Sequence, residues 1–192
     1  MSNKKDDIIS LAINLIKRKG FLALSYDTIS KELNITKAAI HYYFEKKEDL
    51  GIAVCEKLQK GLIQNYEECQ SQVMNGQDGP WCFINCRIST IDATEICPIS
   101  SLQADYEDLP DRMKIMLEKI SNSEMDLWSS LVKQYISDSG GEALAKTTLL
   151  SVKGALQYRR VLGAQQFFHI GTDVICLICF CIQHQENVIY IH

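Results

Sequence analysis

Residues 25–44 read SYDTISKELNITKAAIHYYF, two short helical patterns separated by an asparagine. No other stretch constrains the fold as tightly. Ser25 stands where a side-chain oxygen can cap the first helix, Asp27 falls in its positive first turn, and Ile29 and Leu33 lie four apart on one face. Asn34 ends that pattern. A tight turn between two crossed helices needs a residue in the left-handed region, which Gly enters most easily and Asn next. Thr36 is placed to cap the second helix. That helix buries Ile40 and Phe44 and turns Lys37, Ala38, His41 and Tyr42 to its other side, small and polar groups that suit a groove.

The wider stretch over residues 20–50, GFLALSYDTISKELNITKAAIHYYFEKKEDL, resembles the DNA-binding segment of the TetR (tetracycline-repressor-like) family of transcriptional regulators. The resemblance rests on Gly20-Phe21, Ser25, Ile29-Ser30, Leu33-Asn34-Ile35-Thr36, His41-Tyr42-Tyr43-Phe44, Lys47-Glu48 and Leu50. Ser30 stands for the family's Ala, Asn34 for its Gly and Ala38 for a frequent Gly; the last bears on how closely the second helix approaches a base. Motif-level likeness ends at Leu50, and the rest of the chain matches by architecture alone. The resemblance implies an all-α fold of about nine helices, with an N-terminal three-helix DNA-binding domain over 1–46 and a helical ligand-binding and dimerisation domain over 47–192. It implies that Lys37, Ala38, His41 and Tyr42 face a major groove and that Ser25, Tyr26, Thr36 and Lys47 hold phosphates. The implied partners are a palindromic double-stranded DNA operator, a small-molecule inducer and a second copy of the chain, with repression as the regulatory sign.

Net charge is −4 over 192 residues, so DNA contact must be local rather than spread over a basic coat. Up to Lys47 there are nine Lys and Arg against five Asp and Glu, a surplus of four, which leaves the remainder at −8. The positive part carries the helix-turn-helix. A hydrophobic content of 46% with three prolines is enough to fill a core. The start, MSNKKDDIIS, turns acidic where a secretory signal needs an apolar run, and the longest apolar run, 174–182, is too short for a membrane span. These features predict a cytoplasmic location with no membrane partner, and eight cysteines kept as thiols.

In chain order, helical periodicity predicts a helix over 6–19 ending at Gly20, with Lys17, Arg18 and Lys19 either solvated against its dipole or bound to phosphate. A long helix follows over 47–74. Pro80 opens another that carries Trp81, Ile84, Ile88 and Ile91 inward before Cys97-Pro98. Further helices are predicted over about 99–107, from Pro110 to about 137, and over 142–162 and 165–183. No strand pattern is present. The last two helices carry apolar stripes: Leu144, Thr148, Val152, Ala155 and Leu156 on one, Phe167, Ile170, Val174, Ile175, Ile178 and Cys181 on the other. Stripes of that extent predict a homodimer through the two C-terminal helices, built as a two-fold four-helix bundle.

Signs of catalysis are missing: there is no glycine-rich phosphate loop, metalloprotease motif or nucleophile elbow, so neither an enzyme nor a cofactor is expected. Cys82 and Cys86 stand four apart and Cys176 and Cys179 three apart, but neither pair has a His at ligand spacing. They are read as core, with no metal expected. Cys97 precedes a helix start, which lowers a thiol pKa, so it is a candidate redox sensor or else a small buried turn residue. Tyr66, Ile84, Tyr106, Met113, Leu117 and Trp128 either fill a core or line a ligand cavity, and the resemblance implies a cavity among helices four to eight. Two other classes stay open: an interaction protein of this fold without an inducer, and a small helical enzyme.

Overall fold

Every expected local signal in the N-terminal segment becomes an element end. In the computed structural model the described residues are 3–74, 79–134 and 139–163. Helix α1 (Lys4–Lys19) starts under the Asn3 side chain, which accepts from the Lys5 N–H at 3.2 Å, and ends at Gly20, where φ is 84°. Helix α2 (Tyr26–Leu33) is capped by Ser25 and closed by Asn34 at φ 51°, ψ 48°, the left-handed conformation that the turn demands. The Ile35 N–H donates to the Ser30 carbonyl at 3.0 Å, closing a Schellman-type end. Helix α3 (Lys37–Tyr43) starts at Thr36, whose hydroxyl oxygen accepts from the Ala39 N–H at 3.1 Å. Then come α4 (Lys47–Met74), α5 (Gly79–Ile88), α6 (Pro98–Ala104), a single 3₁₀ turn (Tyr106–Asp108), α7 (Asp111–Val132) and α8 (Ser139–Leu162). The described residues thus form eight α-helices and no strand. The expected ninth helix, 165–183, lies outside them, together with its stripe from Phe167 to Cys181.

These helices pack as two units, Met1–Leu62 with Glu95–Ser123, and Ile63–Thr94 with Glu124–His192. In the first unit Ile8, Ala12, Leu15 and Ile16 of α1, Ile29 of α2, Ile40 of α3, Leu50 and Val54 of α4, Ile99 and Leu102 of α6, and Met113, Leu117 and Ile120 of α7 are buried. Each of the Ile, Leu, Val and Met side chains among them contributes roughly 1.5–3 kcal/mol relative to exposure. Gly51 permits the close approach where these helices converge, because a Cβ there would push against the Met113 sulfur and methyl and the Phe21 ring, which would have to shift.

Helix α6 ends sooner than its apolar pattern suggests, because Asp105 turns its carboxylate away to the α1–α2 link. Its Oδ2 accepts from the Phe21 N–H at 2.6 Å and the Leu22 N–H at 3.2 Å. The Ser101 hydroxyl donates to the Ile16 carbonyl at 2.7 Å and the Ile96 N–H to the Lys17 carbonyl at 3.2 Å. Both carbonyls belong to the last turn of α1, where backbone partners run out: Ile16 also accepts from the capping Gly20 N–H at 3.0 Å, and Lys17 takes its partner from Ile96. Glu95, 3% exposed, pairs with Lys17 at 3.4 Å and Arg18 at 2.9 Å. The two cations are thus also counter-charges to a buried carboxylate, Lys17 largely shielded and Arg18 still 54% exposed in the last turn of α1. We expect Asp105→Ala to cost about 1–3 kcal/mol, since it strands the N–H of the buried Phe21. Asp105→Asn, which keeps an acceptor, should cost less, and a urea midpoint shifted equally by both would refute the role given to this carboxylate.

In the second unit Phe83 stacks on Trp128 with centroids 6.0 Å apart, and the Trp128 indole N–H donates to the Ala145 carbonyl at 2.7 Å. Ile84, Ile88, Leu131, Val132, Leu149, Val152 and Leu156 complete this core. Helix α5 stops at Ile88 rather than reaching Ile91, with the Ser89 and Thr90 hydroxyls donating to the Cys86 and Arg87 carbonyls. Thr148, Val152 and Leu156, three of the residues expected in a dimer stripe, face this core and are at most 8% exposed. Outward apolar residues of α8 are instead Leu150, Tyr158, Val161 and Leu162 at 61, 62, 80 and 57% exposure.

Candidate nucleic-acid interface

Helix α3 is short, and its two caps fix which side meets solvent. Ile40 and Phe44 face inward, while Lys37, Ala38, His41 and Tyr42 are exposed together at positions i, i+1, i+4 and i+5. Tyr42 stands out at 82% exposure, braced edge-on by Tyr43 with centroids 5.1 Å apart. Such a face, convex and carrying a cation, an imidazole, a phenol and a methyl, matches what a recognition helix lays into a major groove.

Two of these side chains are already oriented. His41 Nδ1 lies 3.1 Å from the Glu45 carbonyl, and its ring sits edge-on to Tyr26 at 4.8 Å. A carbonyl only accepts, so Nδ1 carries a proton in this contact and Nε2 is left facing away from it. Lys37 pairs with Asp27 at 2.5 Å, both being more than half exposed. A surface pair of that kind is worth about 0–1 kcal/mol, which a phosphate or base edge readily replaces. Asp27 was expected only as a helix-start charge; its hold on Lys37 joins residues ten apart across the turn and follows no helical spacing.

The expected phosphate holders divide. Thr36 is exposed and, although its oxygen caps α3, its O–H remains able to donate. Ser25 caps α2 by accepting from the Thr28 N–H at 3.2 Å and shares a hydroxyl hydrogen bond with Thr28 at 3.0 Å. Tyr26 differs from expectation. Its hydroxyl donates to the Phe44 carbonyl at 2.9 Å, and burial, then the Asp49 carboxylate, push the phenol up to about 12. Its one proton is committed to holding α2 against the end of α3, so in this arrangement it positions the reading helix rather than donating to phosphate. Lys47 donates to the Leu22 carbonyl at 2.9 Å and sits 4.7 Å from the centre of the Phe21 ring. Burial lowers its pKa, partly offset by Asp105. Two further ammonium protons remain for a phosphate.

The candidate ligand residues do not form one cluster within either unit. Met113 and Leu117 are core residues of the first unit, where Tyr106 is 40% exposed on the 3₁₀ turn. Ile84 and Trp128 belong to the second unit's core, with the indole N–H already satisfied. Tyr66, in that second unit, accepts from the Ser130 hydroxyl at 3.0 Å and from Gln70 Nε2 at 2.5 Å. Cys97 occupies the N-cap position of α6 as expected, but it is 6% exposed and α6 has only seven residues. We read it as packing.

Sequence spacing missed three features, all for the same reason. Glu95 and Asp105 grip α1 and the α1–α2 link from 77 and 83–84 positions away. Cys69 of α4 meets Cys82 of α5, its Sγ–H donating to the Cys82 sulfur at 2.7 Å, while Cys86 lies 3.9 Å from Cys82. Burial and the neighbouring thiols raise the pKa of both Cys69 and Cys86, the opposite of a reactive thiolate. The last feature is the buried carboxylate of Glu124, which holds both Arg87 and Lys153.

Among the described residues no helix is long and apolar enough to cross a membrane. Residues 8–54 match the family model described as bacterial regulatory proteins, tetR family. Over 135 residues the chain is 30% identical to the biofilm operon icaADBC HTH-type negative transcriptional regulator IcaR of Staphylococcus epidermidis, covering 68% of this chain and 69% of that one. The fold is similar to that of a TetR transcriptional regulator from Legionella pneumophila, with a TM-score of 0.84, 23% identity and coverage of 93% of this chain and 96% of that one. A TetR-family transcriptional regulator from Agrobacterium tumefaciens gives 0.75 at 22% identity over 91% and 95%. With its helix-turn-helix intact and its likeness to IcaR spanning two thirds of both chains, this protein belongs to the tetR family of bacterial regulatory proteins.

Proposed function

We propose that this DNA-binding transcriptional regulator is a homodimeric repressor that leaves a palindromic operator when a small molecule binds. As a member of a family of transcriptional regulators it is not an enzyme. The observation that carries the reading is the solvent face of α3, where Lys37, Ala38, His41 and Tyr42 stand exposed together over a buried Ile40 and Phe44. Repression is supported by the likeness to IcaR, itself described as a negative regulator. We place the division of labour at Lys47, with 1–46 reading DNA and 47–192 sensing and dimerising. Dimerisation is assigned to the two C-terminal helices, with Leu150, Tyr158 and Val161 as the α8 contribution. These three recur at i, i+8 and i+11, one helical face, and are at least 61% exposed. A two-fold pair would set two α3 helices for half-sites about 34–36 Å apart or a multiple of it. For the inducer two separate candidate sets stand, Tyr66, Ile84 and Trp128 in the second unit and Tyr106, Met113 and Leu117 in the first, with Tyr66 presenting a polar group in the second.

The test is selection of fragments of the source genome bound by the full-length protein, followed by footprinting. The expected result is an inverted repeat protected on one face at half-sites a helical turn or more apart, with sedimentation giving a dimer. Enrichment without any repeat, or binding by a monomer, would overturn it.

A further inference from the structure

The geometry points to a binding site for a thiophilic d¹⁰ cation of the Zn²⁺ class, formed by Cys69 of α4 with Cys82 and Cys86 of α5. The three sulfurs lie within 4.8 Å of one another. For a tetrahedral ion with Zn–S bonds near 2.3 Å, sulfurs stand about 3.8 Å apart. Cys82 and Cys86 already meet that spacing at 3.9 Å, as an i, i+4 pair on one helix face must. Cys69 and Cys82, at 2.7 Å, need only open by about an ångström, a side-chain adjustment, to admit the ion between them.

Packing does not account for the trio. Cys69 is buried and Cys82 half-buried, but Cys86 is exposed, so the sulfurs run from core to surface and give the ion an entry route. A disulfide does not account for it either, since it would use two sulfurs and leave the third without a role. Soft sulfur donors select Zn²⁺, Cd²⁺ or Cu⁺ over Mg²⁺ and Ca²⁺. On binding, three metal–sulfur bonds form and three thiol protons pass to solvent; water completes the fourth position, leaving a divalent site with one net negative charge. The ion would tie α4 to α5 within the second unit. Because no step involves operator binding, the site stands or falls separately from the proposed function.

The full-length protein, reduced and stripped of metal, is titrated with Cd²⁺ while the sulfur-to-cadmium charge-transfer absorption is followed, and Zn²⁺ affinity is taken from competition with a chromophoric chelator. The background carries Cys176→Ser, Cys179→Ser and Cys181→Ser to remove the C-terminal thiols. One ion per chain is expected. Outer-shell partners alone are worth about 10- to 100-fold in affinity, so losing a ligand should weaken Zn²⁺ by roughly a hundredfold or more. Cys86→Ser is the decisive variant, because an exposed residue can be replaced without disturbing the core; Cys69→Ser should match it. Cys55→Ser, which alters a thiol remote from the trio in sequence, should bind as the parent does. Unchanged Zn²⁺ affinity in Cys86→Ser, or no saturable absorption in the parent, would overturn the site.

Discussion

Glu124→Ala is expected to destabilise the protein by about 3–5 kcal/mol, the range for leaving buried charges without their partner. Glu124 is 2% exposed and is bridged by both Arg87 and Lys153, whose side chains are only 19% and 14% exposed. Removing the carboxylate leaves two cations in a poorly hydrated place. Arg87 also lies 5.4 Å from the centre of the Phe83 ring, so its repositioning would reach the Phe83–Trp128 stack. Against a typical total of about 5–15 kcal/mol, a loss of that size is a large share of the whole. The triad as such is another matter, because a buried ion cluster is often no more stable than apolar groups of the same volume. The triple replacement Arg87→Met, Glu124→Met, Lys153→Met should therefore recover most of what Glu124→Ala loses. Urea unfolding of both variants decides the matter: a loss under about 1 kcal/mol in the single variant would mean that water reaches the site and solvates the cations.

What sequence spacing revealed and what it concealed separate by range along the chain. The helix-turn-helix was legible because each of its parts is set by chemistry within a few residues. Ser25 caps α2 through Thr28, Asn34 accepts a left-handed backbone, and Thr36 caps α3 through Ala39. Glu95, Asp105 and Cys69 were illegible as partners because tertiary packing alone brings them to α1, the α1–α2 link and α5. Apolar periodicity marked α8 correctly as a helix with a stripe, yet it said nothing of what the stripe meets. Thr148, Val152 and Leu156 proved to serve the chain's own core, while Leu150, Tyr158 and Val161 point outward. Tyr26 shows a similar limit in the site itself. Its position fitted a phosphate contact, but the hydroxyl's direction depends on Phe44, eighteen residues on.

Operator affinity should fall by about 1–3 kcal/mol with Tyr42→Ala and by a comparable amount with Lys37→Ala, if α3 reads base edges as proposed. The two losses differ in kind. Tyr42 is uncharged and 82% exposed in the free protein, so it gives up little on leaving solvent and can lie against a thymine methyl or accept and donate at a base edge. Its loss should relax sequence preference at one position of each half-site and leave the salt dependence unchanged. Lys37 must first leave Asp27, a surface contact of at most about 1 kcal/mol, and then brings a full charge to the groove. Its loss should lower the slope of log affinity against log salt by about one for each copy that neutralises a phosphate, or alter base preference if it meets a guanine. Asp27→Ala provides the converse, freeing Lys37 and tightening binding by no more than about 1 kcal/mol. Lys37 and Tyr42 sit on one short helix, so the double variant tests whether the losses add. Fluorescence anisotropy on the selected operator across a salt series measures the four variants and the parent. If Tyr42→Ala binds within about twofold of the parent with its preference unaltered, base reading belongs to another surface, because a side chain seated on a base edge carries about 1–3 kcal/mol of discrimination.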